Sequence, residues 1–261
     1  MRFDVLTLFP EFFGLATLGV TGRAFRKLGH SLEVRNLRDF ADNPRGHVDD
    51  APFGGGPGMV LCPDVLKGAM QALPNEGSRR TIHFSPAAPP LTHAKALELT
   101  AYSQLVLVCT RYEGADQRAI DLYVDEEMSV GEAVVSGGEL PALFLIDAVC
   151  RLLPGVLGNN ESAAQDSFAN GLLDHPHYTR PEMFEGVAVP ETLMGGDHKA
   201  IAYWRLRESM ARTKSFRPDL WAGFLKDRLK ALPPQEQWLA WQVEHLEDWG
   251  KAKPKGWKWR A

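Results

Sequence analysis

The chain has 261 residues, 44% hydrophobic and 24% charged, the profile of an ordinary globular protein and not of a disordered or fibrous one. No run approaches the ~18 apolar residues of a membrane span. The opening MRFDVLTLFPEF carries an acid at its fourth position and too short an apolar run for a signal peptide, so a cytoplasmic location is expected.

Short apolar or β-branched runs alternate with amphipathic stretches through the first 155 residues, the pattern of an α/β fold layered around a mostly parallel sheet. Strands are expected at Phe3–Phe9, Ser31–Leu37, Thr81–Ser85, Leu105–Cys109 and Glu127–Val130. Helices are expected after Pro10, near Thr21–Leu28, from Pro63 to Leu73, Thr92 to Tyr102 and Asp116 to Tyr123, then over Glu139–Leu153, which Pro154 and Gly155 stop. Residues 155–167, GVLGNNESAAQDS, are small and polar and read as a linker. Beyond it the pattern predicts helices at Asp197–Arg212, Pro218–Lys230 and Gln235–Trp249.

The formal net charge of −4 hides an asymmetry between these halves. Residues 1–175 hold 14 basic and 22 acidic side chains, whereas residues 176–261 hold 15 and 11. All seven Trp lie beyond residue 200, and Lys251 to Arg260 interleaves five cations with Trp257 and Trp259. Cations meet phosphates and aromatic faces stack on bases, so this half suits RNA, although the last ten residues alone read as a solvated tail. Cys62, Cys109 and Cys150 are widely spaced, with no CxxC pair, which indicates neither a disulfide framework nor a zinc site. Cys109 and Cys150 sit in apolar runs and read as core residues.

Three strand ends carry ligand-like chemistry: Phe84-Ser85-Pro86, Thr110-Arg111-Tyr112-Glu113-Gly114, and Ser129-Val130-Gly131 continuing to Pro141. Ligands of open α/β sheets bind beyond the carboxyl ends of strands, so the three suggest one pocket. Gly54–Gly58 lacks the Lys-Ser/Thr of a P-loop and reads as a structural loop; a phosphate-cradling hydrolase built on it is the weaker alternative. Arg151 ends the long apolar helix and Asp166 lies in the linker; each by itself reads as surface chemistry. The segment 171–181, GLLDHPHYTRP, places two His, a Tyr and an Arg close together. Recognition of a polar polymer fits it better than a metal, for only one acid is near, and no metal site is assigned.

Together VTGRA (20–24), VDDAPFGGGPGM (48–59), FSP (84–86), RYEG (111–114), SGGELPA (136–142), PGVLG (154–158), DSF (166–168) and GLLDHPHYTRP (171–181) closely resemble the bacterial tRNA (guanine-N1)-methyltransferases that act at position 37, the TrmD family. The resemblance runs in order from residue 1 to about 215. It implies a trefoil-knotted (SPOUT) α/β domain over 1–158, a linker over 159–170 carrying the catalytic Asp, and a small helical tRNA-binding domain over 171–261. It further implies a homodimer whose active sites are shared between subunits, S-adenosylmethionine as methyl donor, and a divalent cation, magnesium, that no motif here locates. The cofactor positions carried over are Phe84, Ser85, Pro86, Thr110, Glu113, Val130, Gly131, Glu132, Ala133, Val134, Val135, Gly137, Gly138 and Pro141. The catalytic positions are Asp166, Arg151 and Glu113, and Asp174, His177, Tyr178 and Arg180 are expected to frame the tRNA nucleotide. This chain departs from the family where Thr110 replaces a usual Gly, a side chain expected to crowd the adenosine pocket, and where Ala133 replaces an aromatic. A knot methyltransferase with another RNA target, or an RNA-binding protein that has lost catalysis, remains the competing expectation.

Overall fold

The computed structural model describes residues 1–43, 46–75, 77–158 and 166–245. The chain divides into two compact units, Met1–Ala163 and Ala164–Ala261. In the first, strands β1 (Arg2–Thr7), β2 (Ser31–Asn36), β5 (Arg79–Phe84), β6 (Gln104–Val108) and β7 (Glu126–Met128) form one sheet in the order β2-β1-β6-β5-β7, every pairing parallel. A two-stranded ribbon, β3 (Asp49–Asp50) with β4 (Val60–Leu61), stands apart from it.

Why β6 is central follows from its sequence: QLVLV is apolar without interruption and entirely buried, as a parallel strand covered on both faces must be. Its side chains alternate between two cores. Leu105 and Leu107 join Phe3 and Val5 under α1 (Gly19–Lys27), α3 (His93–Leu99) and α5 (Glu139–Leu152), while Val106 and Val108 join Leu6 under α2 (Pro63–Gln71) and α4 (Gln117–Tyr123). Cys109 and Cys150 are fully buried as expected; desolvation holds the Cys109 thiol well above its ordinary range and pushes that of Cys150 up to about 12.

The second unit is mainly helical: α6 (Glu191–Met194), α7 (His198–Phe216), α8 (Pro218–Asp227) and α9 (Pro234–His245). Asp197 caps α7, its carboxylate accepting from the N–H of Lys199 and Ala200 at 2.9 and 3.1 Å, and α7 runs past the expected Arg212. Trp204, Trp221 and Trp238 are buried, the second of them in a cluster with Met210, Phe224 and Leu239. Packing therefore consumes aromatic surface that the sequence suggested for RNA. Trp249 and the Lys251–Arg260 tail lie outside the described residues, as does most of the expected 159–170 linker. An unexpected hairpin, β8 (Met183–Phe184) with β9 (Val187–Ala188), turns at Glu185 and Gly186, whose positive φ of 49° and 82° suits a tight two-residue turn. Among the described residues no helix is long and apolar enough to cross a membrane.

Candidate active site

Because β5, β6 and β7 are parallel neighbours, the segments leaving their carboxyl ends emerge on the same edge of the sheet. Backbone hydrogen bonds tie these segments together: the Ser85 N–H donates to the Met128 carbonyl at 3.0 Å, that of Ser129 to Pro89 at 2.9 Å, and that of Gly138 to Thr110 at 3.0 Å. Gly138 has to be glycine, since a Cβ there would stand 2.7 Å from the Cys109 Cα. That close approach seats the start of α5 directly on the end of β6. Between the segments lies a cleft of about 430 Å³.

The structure brings most of the expected residues to this cleft. Phe84, Ser85 and Pro86 line it from β5, Thr110 and Glu113 from β6, and Val130, Ala133, Val134, Val135, Gly137, Gly138 and Pro141 from the segment running into α5. Gly131 and Glu132 are not among the lining residues. Val134 is 84% exposed, an apolar side chain at the mouth of the cleft with room for a ligand against it.

Two neighbouring features hold the 110–114 loop in place. Tyr112 adopts φ 61°, a left-handed conformation that a non-glycine residue keeps only when its surroundings enforce it. Gly58, at φ 85°, packs where a Cβ would meet the Glu113 carboxylate at 2.5 Å, and the Glu113 N–H donates to the Met59 carbonyl at 3.0 Å. Gly58 and Met59, at the end of the glycine-rich segment, thus brace Glu113. Arg111 also lines the cleft, with its side chain held by the fold: its Nε lies 3.0 Å from the buried Glu139 carboxylate, and its guanidinium sits 4.4 Å above the Phe9 ring.

Sequence reasoning missed His83 and Glu127, which also line the cleft. His83 Nδ1 is 2.8 Å from Glu127 Oε1, and Nε2 is 2.9 Å from Thr110 Oγ1. The only signal available was that His83 immediately precedes FSP on one strand. Burial disfavours the charged imidazole more than the Glu127 hydrogen bond and charge favour it, so the folded protein protonates His83 below the ordinary 6.5. The unfolded chain then binds the proton more readily, and this contribution to stability is complete above pH 6.5 and is lost as pH falls toward the lower folded value. Urea unfolding at pH 7.5 and 5.5 should show a loss in the parent that shrinks in His83→Gln; an equal loss in both would refute the assignment.

Arg151 is exposed in the last turn of α5, in the first unit. Asp166 opens the described part of the second unit, its carbonyl accepting from the Ala169 N–H at 3.2 Å within a turn where Phe168 takes φ 77°. Asp174 gathers its neighbours: its two oxygens lie 2.7 Å from His175 Nδ1 and 2.8 Å from His177 Nε2. Burial raises the Asp174 pKa, but the hydrogen bonds from His177 and His175 outweigh it, leaving the carboxyl below its ordinary value. Tyr178 meets Trp204 edge to face at 6.1 Å, and Arg180 is exposed. Asp174, His175 and His177 present three potential ligand atoms within 4.8 Å of one another. Two imidazole nitrogens and one carboxylate do not match the oxygen donors magnesium takes, so no step of the chemistry is assigned to a cation there.

Comparison with known proteins accords with this arrangement. The family model described as tRNA (Guanine-1)-methyltransferase TrmD matches residues 1–223. A protein of Dechloromonas aromatica (strain RCB) named tRNA (guanine-N(1)-)-methyltransferase is 54% identical over 259 residues, covering 96% of this chain and all of the relative. Proteins of the same name from Neisseria meningitidis serogroup B (strain ATCC BAA-335 / MC58) and Aromatoleum aromaticum (strain DSM 19018 / LMG 30748 / EbN1) are 52% and 50% identical, covering 84% and 95% of this chain and 90% and 94% of the relatives. With the sheet, the cleft and the motif positions in agreement, the chain belongs to the tRNA (guanine-1)-methyltransferase TrmD family.

Proposed function

We propose that this chain transfers a methyl group from S-adenosylmethionine to N1 of guanosine at position 37 of tRNA. The observation that carries the reading is the convergence of three strand ends on one cleft, lined by the residues at which the family resemblance expects the methyl donor. Its loops present backbone groups and apolar side chains, the surfaces that suit a nucleoside. When bound, the donor supplies a methyl group activated by a sulfonium. The Glu113 carboxylate, braced by Gly58, complements that positive charge.

Guanine N1 carries a proton that must leave before the nitrogen can attack. Asp166 is the general base that takes it, and Arg151 opposes the negative charge that moves toward O6. Asp174, His177, Tyr178 and Arg180 frame the target nucleotide or its neighbour, with Tyr178 and His177 exposed for stacking and edge contacts. The protein acts as a cytoplasmic homodimer in which the segment carrying Asp166 completes the cleft of the partner subunit. Apolar side chains left exposed on α5, Leu140 and Phe144, and in the segment leading into α1, Leu15 and Leu18, support a second copy covering these residues. The product lacks the N1 proton and can no longer form a Watson–Crick pair with cytosine.

Labelled methyl transfer to an unmodified transcript with guanosine at position 37 should yield 1-methylguanosine there, and none on the adenosine-37 transcript. Label on a different guanosine would establish another RNA target. Donor binding without transfer to any tRNA would favour a binding-only role.

A further inference from the structure

On the reading of the cleft as the methyl-donor site, we propose that Glu127, His83 and Thr110 form a side-chain relay that fixes the Thr110 hydroxyl as a hydrogen-bond acceptor for an amino group of the bound donor. The family resemblance gives His83 and Glu127 no role and predicts that the Thr110 side chain crowds the pocket. The geometry gives it a different task. Its hydroxyl lies 2.9 Å from His83 Nε2, so the side chain is tethered to the cleft wall.

The polarity of the relay follows from which atoms can donate. An ionised Glu127 carboxylate only accepts, so the 2.8 Å contact requires a hydrogen on His83 Nδ1. A neutral imidazole protonated at Nδ1 has a lone pair at Nε2, which must accept from the Thr110 hydroxyl. That hydroxyl has one hydrogen, already committed, and toward the cleft it offers only lone pairs. The donor molecule carries N–H groups on its adenine and its amino-acid end, and these complement an acceptor.

The three residues belong to adjacent strands or their ends. His83 pairs in register with Glu127 of β7 on one side and Val108 of β6 on the other, and Thr110 lies two residues beyond Val108. The row thus crosses the sheet at its ligand edge. His83 is 5% and Thr110 6% exposed, so neither side chain turns easily to another partner in water. His83 and Glu127 are accordingly positioning residues, and Thr110 makes the contact.

Calorimetric titration of S-adenosylmethionine into the full-length protein tests this. Thr110→Val removes the hydroxyl at nearly constant volume and should weaken binding about tenfold, with KM for the donor rising by more than kcat falls. His83→Phe should weaken binding by a similar factor, and the double variant should be no weaker than about the worse single one, because both remove one coupled contact. Thr110→Ser keeps the hydroxyl and should recover most of the affinity; it and His83→Asn guard against a variant that fails to fold. Unchanged affinity in Thr110→Val, or losses that add in the double variant, would overturn the relay while leaving the cleft as the donor site. No binding by the parent protein would overturn the reading of the cleft itself, and the relay with it.

Discussion

Replacing Asp166 by Asn should lower the rate of methyl transfer by roughly 10²- to 10⁴-fold while the protein still binds S-adenosylmethionine, since a positioned general base contributes about that much. The substitution keeps the size of the side chain and removes its ability to accept the N1 proton. Donor binding is expected to survive because the residues that line the cleft in this chain all belong to the first unit, whereas Asp166 belongs to the second. Single-turnover transfer to the guanosine-37 transcript, at saturating donor and over a range of pH, measures the chemical step separately from binding. If Asp166 takes the N1 proton, the Asp166→Asn deficit persists at every pH tested, because an amide oxygen is far too weak a base to take its place. A variant within about threefold of the parent would remove Asp166 from the proton transfer and leave the reaction to another group.

How far the sequence could be read depended on the range of the interactions involved. The five strands of the main sheet and the helices of the first unit follow from local hydrophobic periodicity, and β6 is legible because a strand buried on both faces leaves an unbroken apolar run. Motif resemblance found most of the cleft lining because its positions cluster in the segments after three strands. What it missed is set by long-range pairing. His83 meets Glu127 across 44 residues, and Thr7 donates to Glu139 across 132, separations that no periodicity records. Arg111 lines the cleft as its strand-end motif predicts, but nothing local records its partners, Glu139 and two aromatic rings near the N-terminus. The tryptophans misled for a related reason: composition counts aromatic residues but cannot separate Trp221, buried in a core, from one free to stack on a base.

The pairing of Arg111 with Glu139 leads to the largest expected effect on stability. Glu139 is 1% exposed in the first turn of α5, where the helix N-terminus favours a carboxylate. The Thr7 hydroxyl donates to its Oε1 at 2.9 Å, and Arg111 lies against its other oxygen, with the guanidinium clamped over Phe9 at 4.4 Å and Phe12 at 5.5 Å. Glu139→Ala would strand the Arg111 charge in a largely dry site, a loss of roughly 3 kcal/mol, because removing one member of a buried pair costs far more than the pair is worth. For a unit of this size that corresponds to a fall in Tm of about 6 to 12 °C by calorimetry. Arg111→Met should be comparably destabilising, since it strands the carboxylate. The double variant Arg111→Met, Glu139→Leu removes both charges and should recover much of the loss, so the two single effects should not add. If instead the double variant falls by the sum of the singles, the two side chains act independently, and the loop that carries Tyr112 and Glu113 owes its shape to other contacts.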